Sequence, residues 1–130
     1  MGGRTVVAGC LRNAAAVAAF LRRFERPVLV LAAGEQTPGG PPRPALEDRL
    51  GAGAILAGLP GAWLSTPARA AAAAFRSAED RLHARLAWSA SGRELRARGF
   101  ALDVRLAAQL NAGRAVPVLV EGAYRAAVER

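Results

Sequence analysis

Residues 5–34 read TVVAGCLRNAAAVAAFLRRFERPVLVLAAG, and the parsing of this stretch decides the fold. Thr5, Val6, Val7 and Ala8 form a short β-branched run that stops at Gly9. Val28, Leu29, Val30 and Leu31 form a second, preceded by Pro27 and ended by Ala32-Ala33-Gly34. Short apolar runs bounded by Gly and Pro have the pattern of buried strands. Between them Asn13 can cap a helix running through Phe24, with Val17, Phe20, Leu21 and Phe24 at helical spacing and Arg22 and Arg23 turned outward. Strand, helix and strand at this spacing predict a βαβ unit with parallel strands and a right-handed crossover.

Working outward, GEQTPGGPPRP over residues 34–44 is too rich in Gly and Pro for a helix or strand and long enough to be a working loop. A helix over about 46–59 follows, with Gly51, Ala54 and Gly58 on a stripe that lets a neighbour approach closely, and Pro60-Gly61 stops it. Thr66-Pro67 opens a long helix to about Trp88, burying Ala71, Phe75, Ala78, Leu82 and Leu86. Ser91-Gly92-Arg93-Glu94 has capping-box spacing, and Gly99 can close the short helix it opens. A helix over about 102–110 and a strand over 116–120 complete the order, with Pro117 placing that strand at a sheet edge or strand start.

Three strands against five helices is an unbalanced layering. The expectation is an α/β fold with a mostly parallel sheet flanked by helices, an incomplete part of a larger three-layer α/β/α arrangement. The rest of the sheet would come from a second copy, as in a homo-oligomer, or from an N-terminal half. At 130 residues the chain has room for one domain, since domains run to about 100–200 residues.

The hydrophobic share is 52%, but 32 of those residues are Ala, so the core is thin and helix-prone. The formal charge is +8, which would ordinarily point to a nucleic acid or an anionic surface. All 18 basic residues are Arg, a sign of GC-rich coding bias, and they are spread from Arg4 to Arg130 without a block. The few aromatics are scattered among them with no stacking platform, so no nucleic-acid partner is expected. One Cys excludes an intrachain disulfide, and with one His it excludes a Cys/His zinc site, which suits a reducing cytoplasm. No apolar run approaches the roughly 18 residues of a membrane span, so no membrane partner is expected either.

Ligands of open parallel sheets bind beyond the carboxyl ends of the strands, which directs attention to residues 9–13 and to Gly34-Glu35. Gly9, Arg12 and the helix start at Asn13 supply what a phosphate or carboxylate requires. The same residues would equally make a tight turn, with Asn13 a plain cap and Arg12 solvated. Glu47 and Asp48 open the helix over 46–59, where the helix dipole favours negative charge. Asp48 also shares the line of Ala52, Ile55 and Leu59, which directs its carboxylate along the sheet edge rather than into water. Together with Glu35 this gives three carboxylates near the anion site, the oxygen ligands Mg²⁺ requires when it bridges protein and phosphate. Cys10 has Ala16 where a Cys-based phosphatase loop needs Arg, so it reads as a buried, inert thiol. His83 reads as solvated, and Arg93 either serves the capping box or reaches an anion.

In order along the chain, AGCLRNA (8–14), AGE (33–35), LEDRLGAGA (46–54), SGREL (91–95), Gly99-Phe100 and Asp103-Val104 resemble the 2-phosphosulfolactate phosphatase family. These enzymes release phosphate from 2-phospho-3-sulfolactate on the route to coenzyme M. The resemblance implies helices flanking a larger sheet, a Mg²⁺-dependent phosphatase activity and a small substrate carrying phosphate and sulfonate. It further implies that Arg12 and Asn13 hold an anionic group and that Arg93 neutralises the second anion. Glu47 and Asp48, with Glu35, would bind metal or activate the attacking water. Members run to about twice this length, so the chain is expected to be a C-terminal portion. The alternative is a non-catalytic α/β interaction module that binds anions and completes its sheet with a partner.

Overall fold

The computed structural model describes residues 3–127. Six helices carry the fold: α1 (Ala14–Leu21), α2 (Leu46–Ala57), α3 (Thr66–Ala78), α4 (Leu82–Trp88), α5 (Ala90–Ala97) and α6 (Ala101–Ala107). The strands are short: β1 (Glu35–Gln36) with β2 (Pro42–Arg43), and β3 (Pro117–Val120) with β4 (Ala123–Ala126), each an antiparallel pair. The fold is therefore mixed α/β with two small antiparallel sheets.

The parallel sheet is not formed. Residues 5–8 run antiparallel to β3, with a bridge between Val7 and Val118, an Ala8 N–H to Pro117 carbonyl bond of 2.9 Å and a Leu119 N–H to Val6 carbonyl bond of 2.9 Å. Residues 28–31 join no strand. Val30 packs against Ala18, Leu56, Leu59 and Ala72, while Leu29 and Leu31 are 81% and 76% exposed. The run alternates in and out like a strand, but one face lies on helices and its edge is unpaired. A single such face cannot hold the βαβ crossover.

The helices instead bury one another. Leu11, Ala14, Val17, Leu50, Ala54, Ile55, Phe75, Ala78, Leu82, Leu86, Ala87 and Val104 form the main core, centred on α2. The small-residue stripe of α2 does what its spacing predicts: a side chain at Gly51 would meet the Leu11 nitrogen at 3.5 Å, and one at Gly58 would meet the Ala18 methyl at 2.7 Å. Gly53, outside that stripe, sits tight against α3, where a Cβ would lie 2.8 Å from that of Phe75.

The long helix expected over 66–88 breaks into α3 and α4 through a 3-10 turn at Glu79–Arg81, and its apolar stripe continues across the break. Its cap is Ser65 rather than Thr66, with the Ser65 hydroxyl accepting from the Ala68 N–H at 3.5 Å. Ser89, not Ser91, caps α5, accepting from the Gly92 N–H at 3.0 Å. Gly99 ends α5 at φ +89, with the Phe100 N–H on the Leu95 carbonyl and the Gly99 N–H on that of Arg96, a Schellman closure.

The Gly- and Pro-rich stretch is a hairpin rather than an irregular loop. The Gly40 N–H returns to the Thr37 carbonyl across Pro38-Gly39, with Gly39 at φ +67, the arrangement of a type II turn. It pairs Glu35 with Arg43 and Gln36 with Pro42. Strand β4 was also absent from the sequence reading. Its turn is Glu121-Gly122, both at positive φ (50 and 80), which suits the twist of a two-residue hairpin. Among the described residues no helix is long and apolar enough to cross a membrane.

Candidate active site

Three of the segments singled out by sequence meet around the first turn of α2. Gly51 lies against Cys10 and Leu11, so the turn at Leu11–Asn13 stacks directly on α2. Glu47 is one helical turn before Gly51, on the same face. Asp48 is half-buried, and its Oδ2 accepts the Gly34 N–H at 2.8 Å. Its carboxylate is thus held against the backbone of Gly34.

Gly34 is suited to that contact for two reasons. Its φ is +74, where a side chain is strained, and a Cβ there would stand 3.0 Å from the Arg43 carbonyl oxygen. The next residue, Glu35, accepts from the Ser91 hydroxyl at 2.7 Å and from Arg43 Nε and Nη2 at 3.0 and 2.5 Å. Arg43 in turn donates Nη1 and Nη2 to the two oxygens of Glu94 at 2.8 and 3.0 Å. The Ser91 hydroxyl, and then the Arg43 guanidinium, hold the Glu35 carboxyl below its ordinary range. Arg43 does the same to Glu94, and the two carboxylates raise Arg43, Glu94 most. Ser91 and Glu94, whose spacing reads as a capping box, are instead the α5 half of this network.

The turn at residues 10–13 gives Asn13 and Arg12 different surroundings. Asn13 is buried at 9% exposure, with its Oδ1 accepting the Cys10 N–H at 2.8 Å and its Nδ2 donating to the Ala115 carbonyl at 3.0 Å and to that of Ala8 at 3.4 Å. An amide so engaged organises the turn. The first turn of α1 is served by Asn111, whose Oδ1 accepts the Ala15 N–H at 2.8 Å. Asn111 is in the left-handed region at φ 56, and its N–H meets the Leu11 carbonyl at 3.0 Å. Arg12 donates Nη1 to the Leu106 carbonyl at 3.0 Å and to Gln109 Oε1, which leaves Nε and Nη2 for another acceptor. Cys10 is exposed rather than buried, because the turn directs its side chain away from the Leu11 core. His83 is exposed, as expected.

The three carboxylates do not assemble into a ready cradle for Mg²⁺. Among the described residues no group of three His, Cys, Asp or Glu side chains could hold a metal ion. Glu35 accepts from Arg43 and Ser91, Asp48 has one oxygen engaged, and among the described residues Glu47 makes no hydrogen bond or ion pair. Mg²⁺ commonly takes only one or two protein carboxylates and completes its shell with substrate phosphate and water. Glu47 and the second oxygen of Asp48 fit that sparser mode. Arg93 is exposed on α5, next to Glu94, whose carboxyl it also helps to lower.

Two groups escaped the sequence reading. Arg43 carries a signal: it and Glu35 stand symmetrically about Gly39, as an opposite-charge pair across a hairpin would. Asn111 carries a weaker one, an Asn two residues before a Gly just after a helix.

No curated protein matches the chain. The family model described as 2-phosphosulpholactate phosphatase matches residues 1–122. That span takes in every segment gathered around α2 and gives no support to reading them as a C-terminal half. The turn on Gly51, the Gly34–Asp48 contact and the Glu35–Ser91 contact all join segments lying inside it, and the chain belongs to the 2-phosphosulpholactate phosphatase family.

Proposed function

We propose that the chain hydrolyses 2-phospho-3-sulfolactate, or a similar phosphorylated 2-hydroxy acid, to the hydroxy acid and phosphate, the type of step used in coenzyme M biosynthesis. The observation that carries this reading is the family match over residues 1–122. Its support in the geometry is the contact of separate sequence segments around Asp48. Water attacks phosphorus, the bond from phosphorus to the ester oxygen breaks, and the departing oxygen takes up a proton. Asp48, fixed by the Gly34 N–H, is the group proposed to accept the proton of the attacking water through its other oxygen. Arg12, with Nε and Nη2 unengaged, and Arg93 are proposed to meet the substrate's two anionic groups. Mg²⁺ dependence belongs to the proposal, with Glu47 as the principal carboxylate; a bound Mg²⁺ would offset charge on the phosphate. A cytoplasmic location fits the single cysteine.

The test is phosphate release from 2-phosphosulfolactate by the folded chain with Mg²⁺, repeated with EDTA and with Asp48→Asn. Release that EDTA abolishes and Asp48→Asn lowers by about a hundredfold is expected. A folded chain that releases none overturns the reading. It would then favour a non-catalytic module, for which the exposed Leu29 and Leu31, on a run that joins no strand among the described residues, are the specific observation.

A further inference from the structure

The hairpin of residues 35–43 has two residues in each strand, too few to hold its own position, since even longer isolated hairpins are marginal in water. Its placement must come from what its ends touch. On one side the Gly34 N–H meets Asp48 on α2; on the other, Glu35 and Arg43 meet Ser91 and Glu94 on α5. Arg43 is the member common to both strands and to α5, with Nε and Nη2 on Glu35 and a two-point grip on Glu94. A planar fork held at several donors has little freedom to shift. Its own carbonyl oxygen is also the nearest atom that a side chain at Gly34 would meet, at 3.0 Å. Arg43 therefore determines where the Gly34 N–H stands, and that N–H orients the Asp48 carboxylate.

We infer that Arg43 is a positioning residue: it clamps the hairpin to α5 and so holds the Gly34 N–H, and through it Asp48, in place for reaction. This rests on the phosphatase reading. Arg43 touches no reacting atom, and its effect passes through Gly34 alone. Loss of the clamp should therefore lower kcat and leave KM nearly unchanged, because the proposed anion-binding arginines are not part of it.

The test pairs hydrogen exchange with kinetics on the full chain, using Arg43→Gln, Arg43→Lys and Glu94→Gln, the last removing the ionic grip of α5 on Arg43 while the Ser91–Glu35 hydrogen bond stays in place. Amide exchange at Gly34 should accelerate at least tenfold in Arg43→Gln and Glu94→Gln, while amides of α2 and α3 keep their protection. Phosphate release should fall about ten- to a hundredfold in kcat, the scale of a catalytic group displaced by about 1 Å, with partial recovery in Arg43→Lys. Raised salt should lower kcat of the wild type and leave Arg43→Gln unmoved, since the clamp is ionic and partly exposed. Unchanged exchange at Gly34 would overturn the inference, as would faster exchange with an unaltered kcat. A wild-type chain that releases no phosphate would overturn the phosphatase reading and the positioning role with it, while exchange at Gly34 would still decide whether the clamp exists.

Discussion

Replacing Gly34 with Ala tests the base of the hairpin through two effects whose sizes can be separated. At φ +74 an L-residue is in the left-handed region, which costs about 1–2 kcal/mol. A stiffer unfolded chain returns about 0.4–1 kcal/mol, leaving a conformational cost of roughly 1 kcal/mol. The new methyl would then face the Arg43 carbonyl oxygen at 3.0 Å. Both atoms are fixed by backbone, so no rotamer relieves the contact and Gly34 must move. Moving it stretches the 2.8 Å bond from its N–H to Asp48. A hydrogen bond to a charged group contributes about 1.5–3 kcal/mol, and part of that is lost at this half-exposed site, about 1 kcal/mol. The total is about 2 kcal/mol. Gly39→Ala is the control: its φ is +67, but nothing lies within 4 Å of the new methyl, so only the conformational part applies. Urea unfolding of the three proteins should give midpoints that fall in the order wild type, Gly39→Ala, Gly34→Ala, with a common slope. In heat the second step should be worth about 3–4 °C. A Gly34→Ala protein as stable as Gly39→Ala would refute the link between the Arg43 backbone, Gly34 and Asp48.

Asn13→Ala should destabilise the chain by about 3 kcal/mol, because it leaves the Cys10 N–H and the Ala8 and Ala115 carbonyls without their partner in a buried turn; a thermal midpoint within 2–3 °C of wild type would contradict that role. Gly53→Ala should cost about 1–3 kcal/mol by forcing α2 from α3, whereas Gly61→Ala, with open space around it, should stay within about 0.5 kcal/mol; similar urea midpoints for the two would count against the close packing. Glu35 and Glu94 both ionise below the ordinary carboxylate value of 4.5 when folded. The clamp's contribution is therefore complete above that value and is lost as pH falls through the lowered ones. Urea midpoints should accordingly fall more steeply below about pH 4.5 for wild type than for Glu94→Gln, and parallel curves would show that the ion pair adds nothing.

Helices were legible where their signal was local. The apolar spacing of α2, its Gly51 and Gly58 contacts and the Gly99 closure of α5 depend on residues within a few positions of one another, and they were read close to where they stand. Strand partners depend on distant chain. Residues 5–8 and 28–31 are both short apolar runs that stop at or shortly before a Gly, yet one pairs with β3 about 110 residues away and the other joins no strand among the described residues. A β-branched run states that a strand is tolerated; it does not name the neighbour or the direction. The parallel reading assumed that two adjacent runs must find each other. It failed because Val30 found helix surface first, and Ala-rich helices with a dense stripe of small residues could close a core without a central sheet.

The candidate site shows the same division at the level of charge. The helix that carries Asp48 was legible from its apolar line, whereas the Gly34 N–H that Asp48 accepts was not. Glu35 was grouped with the other carboxylates, while its partners in the structure, Arg43 and Ser91, come from elements that the grouping left out. Arg43 is one of 18 arginines in a chain with no lysine, and composition alone gives no reason to prefer it to the other 17. Its distinction is geometric: it faces Glu35 across a hairpin and Glu94 across a helix, so its charge is spent on two named acceptors. Discounting the net charge treats the arginines as an evenly spread, solvated set. Applied residue by residue the same discount hid the arginine on which the hairpin depends. A planar five-donor group between two carboxylates fixes geometry at modest energetic gain in water, so its loss should appear in the orientation of Asp48 before it appears in the stability of the chain.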